Sequence, residues 1–157
     1  MTALVTVAAD ITTKRLALAQ LEYGVPHNVL GDFLRFTLVF NRGAAFGTHV
    51  GDASRWVFTG LALVILGVLT RMAWQSEPGD WAKLFALGLV CGGAIGNLID
   101  RLRWASGVVD FIDVGLGAHR FWVFNLADSA VSVGAVLLVL LLWAEDRRAA
   151  RAGRPAT

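Results

Sequence analysis

Three stretches of this chain are apolar over close to twenty residues, which limits its possible folds more than any other feature. They run over about 56–74, 81–99 and 122–144. A helix of about 20 apolar residues crosses the hydrocarbon core of a bilayer. The chain is 56% hydrophobic and only 17% charged, with a mean hydropathy of +0.61, which is typical of a polytopic membrane protein. Its 157 residues predict a single membrane-embedded domain over 1–157.

A weaker apolar stretch, about 2–21, predicts a fourth transmembrane helix. It contains Asp10, Lys14 and Arg15, and nine residues precede Asp10. We therefore expect either a tilted, shallow helix or a chain whose start lies upstream of Met1. A basic tail after the last span predicts a cytoplasmic C-terminus, and four spans then place the N-terminus there too. A less favoured alternative is that this tail is a patch that binds nucleic acid. Its arginines are Arg147, Arg148, Arg151 and Arg154.

The segments between the spans on the outer side predict a small sheet. In LRFTLVFN, residues 34–41, every second residue is a leucine or a phenylalanine, and this period of two indicates a strand with one apolar face. VVDFIDV, GLGAHR and FWVF, together residues 108–124, resemble a hairpin with glycines in its turn. We expect the apolar face to rest on lipid or to cover a substrate. The predicted fold is an all-α integral membrane protein with four transmembrane helices and a small extracytoplasmic β-sheet cradle.

Small residues recur in the third span. Gly88, Gly92 and Gly96 follow one another at intervals of four, which is the spacing that lets two membrane helices approach closely. The single cysteine, Cys91, lies in the same apolar run, so no internal disulfide is possible and we interpret it as a small packing residue.

Polar residues interrupt the apolar runs near one end. An aspartate at mid-bilayer costs ~3 kcal/mol, so polar faces of two helices at the same depth should face each other rather than lipid. At helical spacing past Trp122, Asp128 would lie about six residues, or ~9 Å, into the last helix. The last helix would present Asn125, Asp128, Ser129 and Ser132 on one face, and the third span would present Gly93, Asn97 and Asp100 beside Arg101.

Four carboxylates gather at this end of the predicted bundle. Two aspartates held close together near a low-dielectric surface share one proton. The ionised member can then take a proton from water, and the neutral member can donate to a carbonyl oxygen or a leaving amine, as in aspartic peptidases. The structural alternative is a polar clasp in which an aspartate pairs with Arg101. The four residues are Asp100, Asp110, Asp113 and Asp128.

Other chemistries have weaker support. The sequence contains no HExxH, GxSxG or CxxC motif, so zinc, serine and thiol mechanisms are disfavoured, and we expect no metal and no cofactor. A transporter would distribute acidic residues across the bilayer, and a metal-dependent lipid-head-group transferase would carry carboxylates at metal-ligand spacing on one helix. A noncatalytic scaffold is the third alternative.

Five short motifs, in order along nearly the whole chain, resemble those of the lipoprotein signal peptidases, or signal peptidase II, of the bacterial inner membrane. DITTK at 10–14 resembles D-x-x-[ST]-K, and NRGAAF at 41–46 resembles N-x-G-A-A-F. GGAIGNLIDR at 92–101 resembles G-G-A-x-G-N-x-x-D-R. VVDF at 108–111 and FNLAD at 124–128 resemble the two motifs that carry the family's catalytic aspartates.

The resemblance implies an aspartic endopeptidase that removes signal peptides from prolipoproteins just before a diacylglyceryl-modified cysteine. The catalytic pair would be Asp110 and Asp128. The V-V-D-F match selects Asp110 over Asp113, which we expect to be structural or surface-exposed. The partners would be prolipoprotein substrates and membrane lipid, without nucleic acid, and the chain is expected to act as a monomer. It would be a multi-pass inner-membrane protein with both termini cytoplasmic and its active site at the outer leaflet.

The resemblance also implies roles for residues around the pair. Asp100 would orient Arg101. Asp10 and Lys14 are one helical turn apart and are expected to pair as supporting residues. The substrate site would be lined by Asn41, Gly43, Asn97, Arg101 and Asn125.

Overall fold

The protein is a helical bundle with a small sheet at one end. The structure is a computed structural model that describes residues 1–41, 43 and 54–153, with the backbone alone at 149, 151 and 152. The elements follow in the order α1 (Thr2–Gln20), β1 (His27–Leu30), β2 (Leu34–Asn41), α2 (Ser54–Trp74), α3 (Trp81–Arg103), β3 (Val108–Leu116), β4 (His119–Arg120) and α4 (Leu126–Ala152).

Three of the helices, α2, α3 and α4, are long and apolar enough, by length and composition, to cross a membrane, and they coincide with the three strong predicted spans. The predicted fourth span is a helix, α1, of 19 residues. By length and composition, α1 is not among the helices that are long and apolar enough to cross a membrane. The physical reason lies in its sequence, where Asp10, Lys14 and Arg15 interrupt the apolar residues.

Helix α3 lies at the centre of the bundle and packs against the other three helices. Its glycines make this possible. A Cβ at Gly92 would lie 2.6 Å from Cβ of Thr6 on α1. A Cβ at Gly88 would lie 2.7 Å from Cβ of Thr2 on the same helix. The close packing that the glycine spacing predicts is therefore confirmed, with α1 as the partner.

The two ends of the bundle differ. At one end the start of α3 meets the end of α4, where Nζ of Lys83 lies 3.4 Å from Oε2 of Glu145. The start of α1 lies near this end too, against Gly88. At the other end the last turn of α3 and the first turn of α4 meet the sheet. The polar residues of the predicted site lie at this second end.

The sheet has four antiparallel strands in the order β1-β2-β3-β4. Strands β2 and β3 place Val39 opposite Asp110 and Asn41 opposite Val108, with a shift of register between Phe36 and Val39. The hairpin between β3 and β4 turns at Gly117, whose φ of 55° suits a residue without a side chain. The predicted hairpin is confirmed, although its second strand is limited to two residues.

Part of the apolar face of β2 lies on protein. Leu38 forms a buried cluster with Val109 and Phe111 of β3 and with Ala17 of α1. The other apolar residues of this face are only half-buried, and the expectation that the face rests on lipid or covers a substrate stays a prediction. The last turns of α1 extend to the sheet, and Leu18 packs against the same cluster.

The last helix begins later than predicted. The sequence placed the start near Trp122, whereas α4 begins at Leu126. Residue Phe124 is still extended, because its N–H donates to the carbonyl of Ile112 at 3.0 Å and its own carbonyl accepts from Ile112 N–H at 2.7 Å. Asp128 therefore lies in the first helical turn instead of six residues into the helix. Pairing with β3 satisfies the backbone groups that a longer helix would have used.

The glycine contacts predict that Gly92→Ala destabilises the protein. The new methyl group would also lie 2.8 Å from the carbonyl oxygen of Ala3, so α1 and α3 would have to separate. Overpacking of this kind costs about 1–3 kcal/mol of unfolding free energy, measurable as a lower Tm in detergent. Gly67→Ala in α2, where no atom lies within 4 Å, is the matched control and should leave the Tm unchanged. Equal Tm values for both variants would contradict close packing at Gly92.

Candidate active site

The start of α4 is built by a reciprocal pair of hydrogen bonds. Oδ1 of Asn125 accepts the backbone N–H of Asp128 at 2.9 Å. In return, Oδ2 of Asp128 accepts the backbone N–H of Asn125 at 3.2 Å. This is a capping arrangement, in which side chains satisfy backbone donors that a helix leaves free at its N-terminus. It explains why an apolar helix begins with an asparagine and an aspartate, and it orients both side chains.

Asp110 lies on β3 and is 1% exposed. Its Oδ1 accepts from Nδ2 of Asn125 at 2.7 Å. Its Oδ2 accepts from Nδ2 of Asn41, the last residue of β2, at 3.1 Å. Asn41 is held in turn by Gly43, whose N–H donates to Oδ1 of Asn41 at 3.0 Å. Both oxygens of Asp110 are therefore engaged by amides from other elements.

Asn125 joins the two aspartates. It is fully buried, and it donates to Asp110 through its side chain and to Asp128 through its backbone N–H. The other oxygen of Asp128, Oδ1, accepts from Nδ2 of Asn97 on α3 at 2.7 Å. The tertiary structure thus brings a carboxylate from the sheet and a carboxylate from a helix to a single residue.

The environment of Asp110 changes its protonation. Burial, and next the negative charge of Asp128, raise the pKa of Asp110 to about 7. The amides of Asn41 and Asn125 act in the opposite direction, because they stabilise the carboxylate. Asp110 can accordingly hold a proton near neutral pH, which an ordinary aspartate cannot.

A buried ion cluster lies behind the pair. Nζ of Lys14, a residue that is 3% exposed, lies 2.8 Å from Oδ2 of Asp10 and 2.9 Å from Oδ2 of Asp100. The predicted pairing of Asp10 with Lys14 is therefore confirmed. Oδ1 of Asp10 also accepts the backbone N–H of Ala127 at 3.0 Å. The cluster joins α1, α3 and the first turn of α4.

The structure corrects the expectation that Asp100 orients Arg101. The Asp100 carboxylate contacts Lys14 and accepts the backbone N–H of Val109 at 3.2 Å. Arg101 instead donates to the carbonyl of Gly43 at 3.3 Å. These neighbouring residues point in different directions because consecutive positions on a helix lie on different faces.

Asp113 does not join the pair. Residues three apart on a strand point to opposite faces, so Asp113 faces away from Asp110. Its Oδ1 accepts from Nε of Arg120 at 2.6 Å, and its Oδ2 accepts from Oγ1 of Thr37 at 3.1 Å. Asp113 is 6% exposed, so the structural interpretation is right and the surface-exposed alternative is wrong.

The sequence interpretation missed Arg55. This residue of α2 donates to the carbonyl of Arg101 and, at 3.1 Å, to that of Leu102. A cation at the C-terminus of a helix satisfies its free carbonyl groups and opposes its dipole. No motif and no hydropathy period in the sequence points to this contact.

Part of the predicted site lies outside the described residues. Of NRGAAF, only Asn41 and Gly43 are described, and 42 and 44–46 are not. Among the residues that the structure describes, no group of three or more His, Cys, Asp or Glu side chains is arranged to hold a metal ion.

The fold and the site define an integral membrane protein with a carboxylate pair where its helical bundle meets a small sheet. Comparison with known proteins identifies the family. The family model for signal peptidase (SPase) II matches residues 2–144. The chain belongs to the signal peptidase II family.

Named relatives agree with this assignment. The lipoprotein signal peptidase of Streptomyces coelicolor is 44% identical over 137 residues, which are 84% of this chain and 63% of that protein. The chain therefore spans less than two thirds of the length of that relative. The lipoprotein signal peptidase of Burkholderia mallei is 44% identical over 144 residues, 87% of this chain and 81% of that protein.

Two solved structures share the fold. A bacterial membrane enzyme determined by the in meso method at 2.3 Å resolution aligns with a TM-score of 0.85 and 28% identity, over 99% of this chain and 92% of that one. A second bacterial membrane enzyme, determined by the same method at 1.9 Å, aligns with a TM-score of 0.78 and 31% identity, over 90% and 89% of the two chains.

Proposed function

We propose that this protein removes signal peptides from diacylglyceryl-modified prolipoproteins, cleaving just before the lipidated cysteine, and that Asp110 and Asp128 activate the attacking water. The observation that carries the proposal is the position of Asn125, which donates to both carboxylates. Two carboxylates that both bind Asn125, and whose charges interact, can share one proton, as aspartic peptidase chemistry requires. Family membership supports the substrate class.

The surroundings of the two aspartates support different roles for them. Asp128 is partly exposed and lies in the first turn of α4, where the positive end of the helix dipole stabilises a carboxylate. We assign it as the base that takes a proton from water. Asp110 is buried and holds a proton near neutral pH. We assign it as the acid that donates its proton to the carbonyl oxygen as the water attacks. When the C–N bond breaks, the proton that Asp128 took from water passes to the leaving amine, and a hydroxyl of the tetrahedral intermediate returns a proton to Asp110.

The depth of the pair suits a lipid-modified substrate. The acyl chains on the cysteine remain in the bilayer, so the scissile bond lies just below the interface. Asp128 lies in the first turn of a helix that is long and apolar enough to cross the membrane, so it belongs at a similar depth. The residues around the pair are proposed to line the substrate site, namely Asn41, Gly43, Asn97, Arg101 and Asn125.

We further propose that α1 crosses the membrane as a fourth span. Two of its three charged residues, Asp10 and Lys14, are 0% and 3% exposed and contact each other, so they need not face lipid. The third, Arg15, is exposed. The proposed location is the bacterial inner membrane, as a monomer with both termini cytoplasmic and the site at the outer leaflet. Arg147, at the end of the bundle opposite the site, supports this orientation.

We expect Asp110→Asn and Asp128→Asn each to lower the cleavage rate of a lipidated prolipoprotein by roughly 10²- to 10⁴-fold, because an amide cannot exchange the shared proton. The measurement is conversion of the substrate to its shortened form by purified enzyme in detergent, with far-UV circular dichroism to confirm folding.

Asp113→Asn is the matched control from the same strand and should keep most of the activity, since this residue binds Arg120 and Thr37 on the other face. EDTA should leave the rate unchanged, because the proposed mechanism transfers protons between carboxyl groups and water. Retained turnover in Asp110→Asn or Asp128→Asn would remove that aspartate from the mechanism.

The raised pKa of Asp110 predicts the alkaline side of the pH profile. The active pair carries one proton, and raising the pH through about 7 removes it from Asp110. We therefore expect kcat/KM to decline as the pH rises past this value, and to show the same alkaline limb in Asp113→Asn. Activity that stays level up to about pH 9 would show that the reaction does not use this proton.

Cysteine labelling tests the proposed orientation. In a Cys91→Ala background, a cysteine replacing Ala118 at the β3–β4 turn should react with a membrane-impermeant maleimide added outside the inner membrane. A cysteine replacing Glu77 between α2 and α3 should react only after the membrane is permeabilised. The reverse pattern would place the site on the cytoplasmic side.

A further inference from the structure

The mechanism above leaves the role of Lys14 open. Its ammonium group has three partners: it forms ion pairs with Oδ2 of Asp10 and Oδ2 of Asp100, and it donates a hydrogen bond of 3.0 Å to Oδ1 of Asn97. Two of these partners are carboxylates, which neutralise the buried charge. The third is a neutral amide, which a simple ion pair between α1 and α3 would not require.

The contact with Asn97 determines which way that amide points. An ammonium group can only donate hydrogen bonds, so Asn97 must present its oxygen to Lys14. Its Nδ2 then points the other way, where it donates to Oδ1 of Asp128 at 2.7 Å. The reversed amide would place an NH₂ group against the ammonium and an oxygen against the carboxylate.

A second donor to Asn97 is weaker. Nδ2 of Asn125 lies 3.0 Å from Oδ1 of Asn97. The same nitrogen also lies 2.7 Å from Oδ1 of Asp110 and 3.3 Å from the carbonyl of Val109, so two protons serve three acceptors. Lys14 supplies a charged hydrogen bond, which is roughly twice as strong as a neutral one. Of the two donors to the oxygen of Asn97, Lys14 is therefore the stronger.

We propose that Lys14 is a positioning residue for the reaction, whose ammonium group keeps the Asn97 amide donating to Asp128 and so maintains Asp128 as the base. This inference rests on the proposed function. Lys14 acts through Asn97 and touches neither reacting carboxylate. The charged and titratable described groups around this chain of bonds are Asp10 on α1, Asp100 and Arg101 on α3, Asp110 on β3 and Asp128 on α4.

The test is a double-mutant cycle between Lys14→Gln and Asn97→Ala, with kcat, KM and the pH profile measured on a lipidated prolipoprotein. We expect Lys14→Gln to lower kcat by about 10- to 100-fold with a smaller change in KM, and to move the acid limb of kcat/KM to higher pH. In the Asn97→Ala background, which has no amide to orient, Lys14→Gln should cause little further loss and no further shift. Lys14→Arg keeps a charged donor and should retain the wild-type acid limb.

A structural role for Lys14 would give another result. Losses that multiply in the double mutant, or an acid limb that shifts equally in both backgrounds, would show that Lys14 acts by charge or by helix packing, and would overturn the inference. Lys83→Gln, which breaks a lysine–glutamate contact at the other end of the bundle, is the matched control and should leave kcat unchanged. If Lys14→Gln does not fold, Asp10→Asn/Lys14→Gln removes one unpaired carboxylate together with the cation, and the same cycle applies.

The two proposals fail in different ways. Turnover that survives Asp110→Asn and Asp128→Asn would remove the proposed mechanism and this inference with it. Loss of turnover in both aspartate variants, together with independent effects of Lys14→Gln and Asn97→Ala, would remove the positioning role of Lys14 alone.

Discussion

The structure depends on the pairing of a buried lysine near the end of the helical bundle that meets the sheet. Lys14 lies between Asp10 of its own helix and Asp100 of α3, and it also donates to Asn97. A charge at this depth is costly in lipid, and the cost falls when partners replace the lost hydration. The cluster therefore holds α1 against α3, and through Ala127 it also holds the first turn of α4.

The same requirement shapes the candidate active site. Polar groups away from water need partners, so each asparagine of the site both donates and accepts. Asn125 caps α4 and donates to Asp110, while Asn97 accepts from Lys14 and donates to Asp128. The two asparagines and the two aspartates of the site each have hydrogen-bond partners on other elements, so the network holds these side chains in place before a substrate binds. Such preorganisation is what acid–base chemistry with two carboxylates requires.

Much of this could be predicted from local patterns. Apolar runs of membrane length, a period-two strand and the glycine spacing of α3 each express a contact that repeats regularly along the chain. The i, i+4 pair of Asp10 and Lys14 was likewise visible, because helix geometry alone brings these residues together. The motifs around Asp110 and Asp128 pointed to both residues, and the structure brings them to Asn125.

Other features could not be predicted, because they depend on residues far away in the sequence. Helix α4 begins at Leu126 and not at the predicted 122, because Phe124 pairs with Ile112 of the sheet. Asp100 binds Lys14 in place of orienting Arg101, and Arg55 reaches the end of α3 from a separate helix. The helix and strand propensities of neighbouring residues carry no information about contacts between residues far apart in the sequence.

The amino-acid sequence by itself determined that this is a membrane protein with an acidic, asparagine-rich end, since hydropathy and helical spacing are properties of the chain alone. Only the tertiary structure decided which of those polar groups meet. Buried donors and acceptors must each find a partner, and the partners come from five different elements, which are α1, β2, α3, β3 and α4. The approach of the helices depends on the packing of glycines in α3. Asp110 and Asp128 therefore meet at Asn125 because of the fold, although all three residues can be recognised in the sequence.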